Sequence, residues 1–396
     1  MNFIKYKKLN FTQDFFEKQI LSPYYVAIRN TYSDSIFFNP NTNEKLIDDH
    51  NDISVVEFIP PFIDLDLETK QLPLSSFKYK YFKGFMCELN NTDNLQDYMN
   101  VQLGKKGVKK ILSRLKRLET CFDITYKTFI GDIDESECLS LMQNLGFMIE
   151  KRFKQRGDTN NFLNNWDFYR TSAYKMINDN KACLFVIYNN NKPIVISLNY
   201  LYQNIFESAI SSYEIDYAKY GLGNIIVMKK LEWCFNNNYS VFNMRFGDYP
   251  YKRMWCNTVF DYESHVIYNR KSLLQTLKAI FIKNKNQLKF FLIKNKDSIL
   301  VKKLKSFNEI RNKNYSAHDK LKTFTYQEVK DKEGLKELEH SEISIDENEF
   351  LRKYIYDFLY VNSTKYNSVK IYKLGIRESN IYCVKSDEKI VYFALS

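Results

Sequence analysis

Ile205-Phe-Glu-Ser-Ala-Ile-Ser-Ser-Tyr-Glu-Ile-Asp216 leads into Tyr217-Ala-Lys-Tyr-Gly-Leu-Gly-Asn224, an apolar-faced run to about Asn237, and then Ser240-Val-Phe-Asn-Met-Arg-Phe246. Apolar and β-branched residues bounded by turn formers make the first and last pieces strands. Leu222, Ile225, Ile226, Leu231 and Phe235 recur at helical spacing between them. A glycine turn that opens a helix directly after a strand collects unpaired N–H groups at the positive end of a helix dipole, a seat for phosphate or pyrophosphate. The dipole contributes only about 0.3–1 kcal/mol per charge, so the N–H groups must do most of the holding. Gly221 and Gly223 lack the third glycine of a dinucleotide fingerprint and the Gly-Lys-Ser/Thr of a P-loop. The competing reading is a tight strand-to-helix turn with no ligand.

Working outward, Ala182 to Tyr188 is a continuous apolar run, and Asn189-Asn-Asn-Lys192 is a turn. Pro193 to Leu201 and Ile205 to Ser211 then complete an antiparallel meander of three strands. Downstream, Gly247-Asp-Tyr-Pro-Tyr-Lys-Arg-Met-Trp255 closes the unit. Upstream, Val108, Ile111, Leu112, Leu115 and Leu118 give the segment 105–119 one apolar face, and residues 105–117 carry seven Lys or Arg and no acid. Ser136 to Phe153 and Phe162 to Ile177 read as two further helices.

Three antiparallel strands, a glycine turn, a helix, a strand and a short helix resemble the GNAT (N-acetyltransferase) superfamily. Phe246-Gly-Asp-Tyr-Pro-Tyr-Lys252 with Trp255 is similar to the Asp-x-Gly-x-Gly-Asp/Glu-x-Tyr-Lys-x-x-Trp end of the cellulose-biosynthesis-protein-like acetyltransferase domain, a relative of the FemAB-type transferases. The helix 105–119 resembles the basic helix that precedes the catalytic half there, and the likeness runs from Phe85 to Asn269. It implies an α/β (α+β) fold, a mixed and mostly antiparallel sheet flanked by helices, with a degenerate N-terminal GNAT-like half before the catalytic half. It implies acyl-CoA as donor, its pyrophosphate on the N–H groups of Tyr220, Gly221, Leu222, Gly223 and Asn224. The pantetheine arm would lie along the strand ending at Ser212 and Tyr213. Three positions depart from the pattern: Ala218, next to Lys219, stands where the superfamily turn has Gln or Arg, and Asn243 and Arg245 occupy the strand where relatives often carry aspartate.

Acyl transfer to an amine or hydroxyl needs one group to take a proton and another to return one to the departing thiolate. Glu214 and Asp248 are the candidates for the first role, and Tyr251 or Tyr249 for the second. Lys252 is placed as an electrostatic clamp. Each also has an ordinary reading, as a solvated turn acid or a packed ring. No Ser or Cys sits in an elbow motif, so direct transfer is expected without a covalent intermediate.

With 396 residues, 44% hydrophobic and 16% aromatic, the chain can bury two substantial cores. The expected divisions are 1–104 for the degenerate half, 105–270 for the acetyltransferase domain, 271–323 for a basic helical segment and 324–396 for a small C-terminal α+β module. Strands are expected at Ile53 to Ile59, Lys78 to Glu88, Val369 to Ile376 and Asn380 to Leu395, with a helix at Asn348 to Leu359. Seven cysteines without paired spacing point to buried thiols in a reducing compartment. The four histidines are scattered, so no metal is expected. The start lacks an apolar signal region and no uncharged run approaches membrane-spanning length, so a cytoplasmic protein is expected, peripheral to the inner face of the membrane if its basic helices touch lipid.

The net charge of +11 is unevenly placed. Residues 271–305 carry ten Lys and one Asp, and together with 105–117 they hold +16, leaving the remainder at −5. Each basic helix reads as a solvated face. Alternatively, 105–117 is an electrostatic lip for an anionic donor, and 271–305 is a helix lying on anionic lipid, with Leu277, Ile280, Phe281, Leu288, Phe291, Leu292, Ile299 and Leu304 as its apolar members. No nucleic-acid motif is present. The resemblance implies acyl transfer from acyl-CoA to an amino sugar or a cell-envelope polysaccharide precursor, small or lipid-linked. The alternatives are a non-catalytic protein of the same fold that binds a membrane or anionic partner, and a FemAB-like transferase dependent on aminoacyl-tRNA.

Overall fold

The computed structural model describes residues 5–40, 53–70, 72–157, 163–294, 326–328, 340–374, 381–386 and 389–395. The chain begins with β1 (Lys7–Asn10), β2 (Tyr25–Asn30), β3 (Ile36–Phe38), β4 (Ser54–Ile59), β5 (Ile63–Leu67) and β6 (Leu74–Glu88). Next come α1 (Leu95–Cys121), β7 (Ile124–Phe129), α2 (Glu135–Arg156) and α3 (Trp166–Asn178). The central stretch is β8 (Ala182–Asn189), β9 (Lys192–Tyr202), β10 (Ile205–Tyr213), α4 (Leu222–Asn236), β11 (Val241–Phe246) and α5 (Pro250–Trp255). β12 (Thr258–Asn269) and α6 (Leu273–Lys294) follow, then β13 (Tyr326–Glu328), β14 (His340–Glu342), α7 (Arg352–Asn362), β15 (Lys370–Leu374), β16 (Ile381–Lys385) and β17 (Ile390–Leu395).

Two compact units result. Unit 1 takes residues 1–98, 199–209 and 233–316, and unit 2 takes 99–198, 210–232 and 317–396. In unit 1 the strand order is β1-β4-β12-β6-β11-β10. β1 pairs with β4, and β10 with β11, in parallel; the pairings of β12 with β4 and β6, and of β6 with β11, are antiparallel. A parallel neighbour needs a crossover, which α4 supplies between β10 and β11. β2 lies between β3 and β5 in a separate small antiparallel sheet. In unit 2 the order is β10-β9-β8-β7. Its second sheet, β13-β17-β16-β15-β14, is antiparallel throughout. The fold is thus α/β (α+β), with a mixed and mostly antiparallel sheet flanked by helices.

The central elements follow their sequence signals closely. Two-residue turns at Asn190-Asn191 and Gln203-Asn204 join β8 to β9 and β9 to β10, with φ of +52° at Asn190 and +53° at Gln203. Positive φ at the first turn residue matches strand twist in a hairpin, and a connection this short permits only antiparallel neighbours. The basic helix starts where expected, because Gly104 (φ +67°) breaks α1 there. The helix anticipated from Phe162 begins at Trp166, after a 3-10 turn over Leu163–Asn165; two asparagines favour a cap over a helix interior. Phe162 itself lies outside the described residues. The strand anticipated over Asn380 to Leu395 is two strands, with the Ser386 N–H bonded to the Lys389 carbonyl at the turn between them (2.8 Å). All seven cysteines are buried and none is in a disulfide.

In unit 2, α7 holds the turn that precedes α4. Tyr356 packs on Tyr217 at 4.6 Å between ring centroids, and Tyr360 meets Tyr220 edge-on at 5.0 Å. Phe122, just past α1, touches Tyr217, Tyr220 and Tyr356. Arg117 of α1 donates to the Tyr360 carbonyl and lies over its ring.

Candidate active site

The residues singled out in the sequence fall into two groups. Ser212, Tyr213, Glu214, Tyr220, Gly221, Leu222, Gly223 and Asn224 belong to unit 2, and Asp248, Tyr251 and Lys252 to unit 1.

In unit 2, β10 ends at Tyr213 and a 3-10 turn over Ile215–Tyr220 carries the chain to Gly221. Gly221 has φ +71°, a left-handed conformation that costs a residue with a Cβ about 1–2 kcal/mol. Its N–H bonds to the Ala218 carbonyl (3.2 Å), and its carbonyl accepts the N–H groups of Asn224 (2.9 Å) and Ile225 (3.3 Å). Of the expected donor set, the amides of Gly221 and Asn224 are thus engaged within the turn. Leu222 and Gly223 occupy the first-turn positions whose amides a helix leaves without an intrahelical partner. Leu222's side chain is buried in the core. A Cβ at Gly223 would come within 3.2 Å of the Tyr213 ring, so the missing side chain admits that ring. Arg152 lies over the same ring at 4.2 Å.

Two features of this turn were not read from the sequence. Arg114 of α1 lies against Gly221, so close that a Cβ there would meet its Nη1 at 2.9 Å. Among the described residues no carboxylate pairs with Arg114, and its guanidinium is only half-buried. The run of basic residues marked α1 as a possible lip, but spacing alone does not say which arginine meets the glycine. Ser212 is buried, and its hydroxyl has no hydrogen-bond partner among the described residues. Arg114 thus meets the turn at the start of the 15-residue helix α4, and the strand that leads to that turn ends beside the buried hydroxyl of Ser212.

Tyr220 contributes its ring to packing: its hydroxyl donates to the Tyr356 carbonyl (3.0 Å), and burial raises the phenol far above its ordinary pKa. Glu214 accepts from Lys151 Nζ (3.1 Å), which also lies 3.5 Å from Asp216. Burial pushes the Asp216 carboxyl up, against the pull of Lys151. Burial alone would lower Lys151, but Asp216 and Glu214 outweigh it and hold the ammonium above its usual value.

In unit 1, Gly247 turns the chain after β11 and Pro250 opens α5. Asp248 is exposed and pairs with Arg253 through both carboxylate oxygens, which hold its pKa below the usual range. Tyr251 is exposed and its ring lies roughly parallel to that of Tyr249, centroids 6.1 Å apart. Lys252 departs from the role of clamp on a ligand. It is 5% exposed, and its Nζ donates to the carbonyls of Phe246 (2.5 Å) and Arg245 (3.5 Å), latching the turn from within.

Burial lowers the Lys252 pKa from 10.5 to about 8, and the neighbouring Arg245 charge acts in the same direction. Between these two values the unfolded chain binds more protons than the folded one, so stability rises with pH across that window. At 1.36 kcal/mol per unit, the cost of charging Lys252 in place is about 3 kcal/mol at neutral pH. Urea unfolding from neutral to alkaline pH should show this rise in the wild type relative to Lys252→Met. Parallel profiles would show that the ammonium is not held in a dry site.

Beneath this turn lies a buried charge cluster that spacing did not disclose. Arg245 donates from Nη1 to Glu17 Oε1 (2.5 Å) and from Nε to Glu207 Oε1 (2.7 Å). Asn243 Nδ2 donates to Glu207 Oε2 (2.6 Å), and the Asn243 Oδ1 accepts the Arg245 N–H (3.1 Å). Arg245 itself has φ +62°, at a register shift in the pairing of β11 with β6. Burial would lower the guanidinium pKa, but Glu17 and Glu207 outweigh it and keep Arg245 charged. Burial raises Glu207 despite Arg245 and Asn243. Two of the positions that depart from the GNAT pattern, Asn243 and Arg245, are thus partners in one network.

Residues 105–253 match the acetyltransferase (GNAT) domain family, as the strand-turn-helix order and closing motif suggested. Among solved structures, a conserved protein of unknown function from Bacteroides thetaiotaomicron is 11% identical, with 57% of this chain and 74% of that one covered and a TM-score of 0.38. FemX is 8% identical over 55% of this chain and 73% of its own, with a TM-score of 0.40. L-PGS from Bacillus licheniformis is 11% identical over 58% and 72%, with a TM-score of 0.34. No curated protein matches the sequence. Among the described residues, no group of three His, Cys, Asp or Glu is placed to hold a metal ion.

Proposed function

We propose that the chain transfers an acyl group from acyl-CoA to an amine or hydroxyl of an amino sugar or a cell-envelope polysaccharide precursor, in the cytoplasm where acyl-CoA is made. The observation that carries this reading is Arg114 laid against Gly221 at the start of α4, within the segment that matches the GNAT domain. A diphosphate there meets a guanidinium, the first amides of a helix and its dipole together, and charge-assisted bonds of this kind are about twice as strong as neutral ones. The orphan hydroxyl of Ser212 offers a polar partner to the amide-bearing arm of the donor. In the transfer itself the acceptor's nitrogen or oxygen attacks the thioester carbonyl, its proton passes to a base, and the departing thiolate is protonated. Glu214 in unit 2 and Asp248 in unit 1 are the candidates for the base, and Tyr251, exposed in unit 1, is the candidate for the acid.

Thermal unfolding with acetyl-CoA, longer acyl-CoAs and CoA tests the donor. Ligand at 100 times its dissociation constant should add about 2.7 kcal/mol of apparent stability. Arg114→Gln should remove most of that gain, and Gly223→Val should remove it all, because the added methyl groups displace Tyr213. An undiminished gain in both variants would put the donor elsewhere. No gain with any acyl-CoA would favour an aminoacyl-tRNA-dependent transferase or a binding protein of the same fold.

A further inference from the structure

We infer that α6 is a docking surface for an anionic lipid bilayer. Its 22 residues make a rod about 33 Å long, and its amphipathicity is inverted. The inward face is Gln275, Ala279, Ile282 and Asn286. Gln275 Oε1 accepts the Asn269 N–H (2.8 Å) and Asn286 Nδ2 donates to the Tyr79 hydroxyl (3.0 Å). Ala279 and Ile282 join Val55, Tyr79, Val266 and Tyr268 in the core beneath. The opposite face turns Leu273 (75% exposed), Leu274, Leu277, Phe281, Leu288 (60%) and Phe291 (61%) to solvent. At 100° per residue these six fall on one continuous stripe.

Charge identifies the occupant. Lys271, Lys278, Lys285 and Lys289, spaced by seven, seven and four residues, line one flank of that stripe, and no Asp or Glu occurs between Ser264 and Lys296. A cleft beside the helix repeats the pairing of lysine and aromatic, with Lys78, Lys80, Phe290 and Phe291 on its walls; Lys78 also pairs with Glu263 (3.1 Å). A second copy of the chain seated on this face would bring two lysine rows together. A bilayer presents acyl chains to the leucines and phenylalanines, and phosphate headgroups to the lysines, at matching depths. Among the described residues no helix is long and apolar enough to cross a membrane, so the rod lies in the interface plane.

The test is co-sedimentation of the whole chain with vesicles of phosphatidylcholine alone and of phosphatidylcholine mixed with phosphatidylglycerol. Binding to the mixed vesicles and not to the neutral ones is expected. Lys278→Gln, Lys285→Gln and Lys289→Gln together should weaken it by about a hundredfold. Leu277→Asp with Phe281→Asp should abolish it. These substitutions lie on an exposed face, so an unchanged unfolding midpoint and an unchanged acetyl-CoA stabilisation will show an intact fold and keep this test separate from that of the donor. Absence of binding to mixed vesicles would overturn the inference, as would full binding by the aspartate variant. So would a dimer in light scattering that the aspartate variant dissolves while vesicles remain unbound.

Discussion

Arg245→Met should lower the unfolding free energy by about 3–5 kcal/mol, the range for removing one partner from a buried ion cluster. The Arg245 guanidinium bonds both Glu17 and Glu207, and both carboxylates are buried. Methionine fills the volume but leaves two negative charges in a dry place. The loss should depend on pH. Burial already holds the Glu207 pKa above its ordinary value, so its contribution is complete below the ordinary carboxylate range and fades as pH rises through the raised value. Without Arg245 that value climbs further, so the damage should be least in mild acid and grow toward neutrality. Urea unfolding at both pH values measures this, and an equal loss at each would contradict a charge-based account. Adding Glu207→Gln to Arg245→Met should recover part of the loss, because one uncompensated charge is then gone.

Trp255→Ala should cost a similar amount, about 3–5 kcal/mol, as expected for emptying a fully buried aromatic site. Trp255 is inaccessible to solvent. Its carbonyl accepts the Tyr98 hydroxyl (2.7 Å) and the Cys87 thiol (3.4 Å), which fixes the end of α5 against β6 and the start of α1. Those main-chain bonds survive the substitution, so the loss reports the indole's packing. Tyr251→Phe, four residues earlier on an exposed ring, should stay within about 0.5 kcal/mol of the wild type. Denaturant midpoints of the two variants make the comparison, and a Trp255→Ala loss under 1 kcal/mol would show that the site collapses around the gap. Within the Tyr-Lys-x-x-Trp motif, Trp255 anchors the short helix, Lys252 latches the turn and Tyr251 stays at the surface.

Local chemistry was what the sequence expressed well. β8, β9, β10, α4 and β11 lie within a residue or two of where apolar runs, asparagine turns and Gly221 placed them, because each signal is complete within a few neighbours. Partners distant in the chain were hidden. Glu17 and Arg245 lie 228 positions apart, and nothing local in either segment marks the other. Arg114 was visible as one charge among seven, but its rest against Gly221 depends on the packing of α1. Lys252 read as a charged residue in an exposed motif, since its burial is decided by the turn folding over it. For α6 the periodicity was legible and its direction was not. Apolar stripes normally face inward, and here Asn286 and Gln275 take the inward positions because Tyr79 and the Asn269 amide supply their hydrogen bonds.

The aromatic clasp of α7 on the stretch before Gly221 bears on how the protein can be dissected. A fragment trimmed to the 105–253 segment would strip Phe122, Tyr217 and Tyr220 of the helix that covers them, turning an ordered bend into a sticky greasy edge. Helix α7 is a splint for that bend, and biochemical work gains most from keeping it attached.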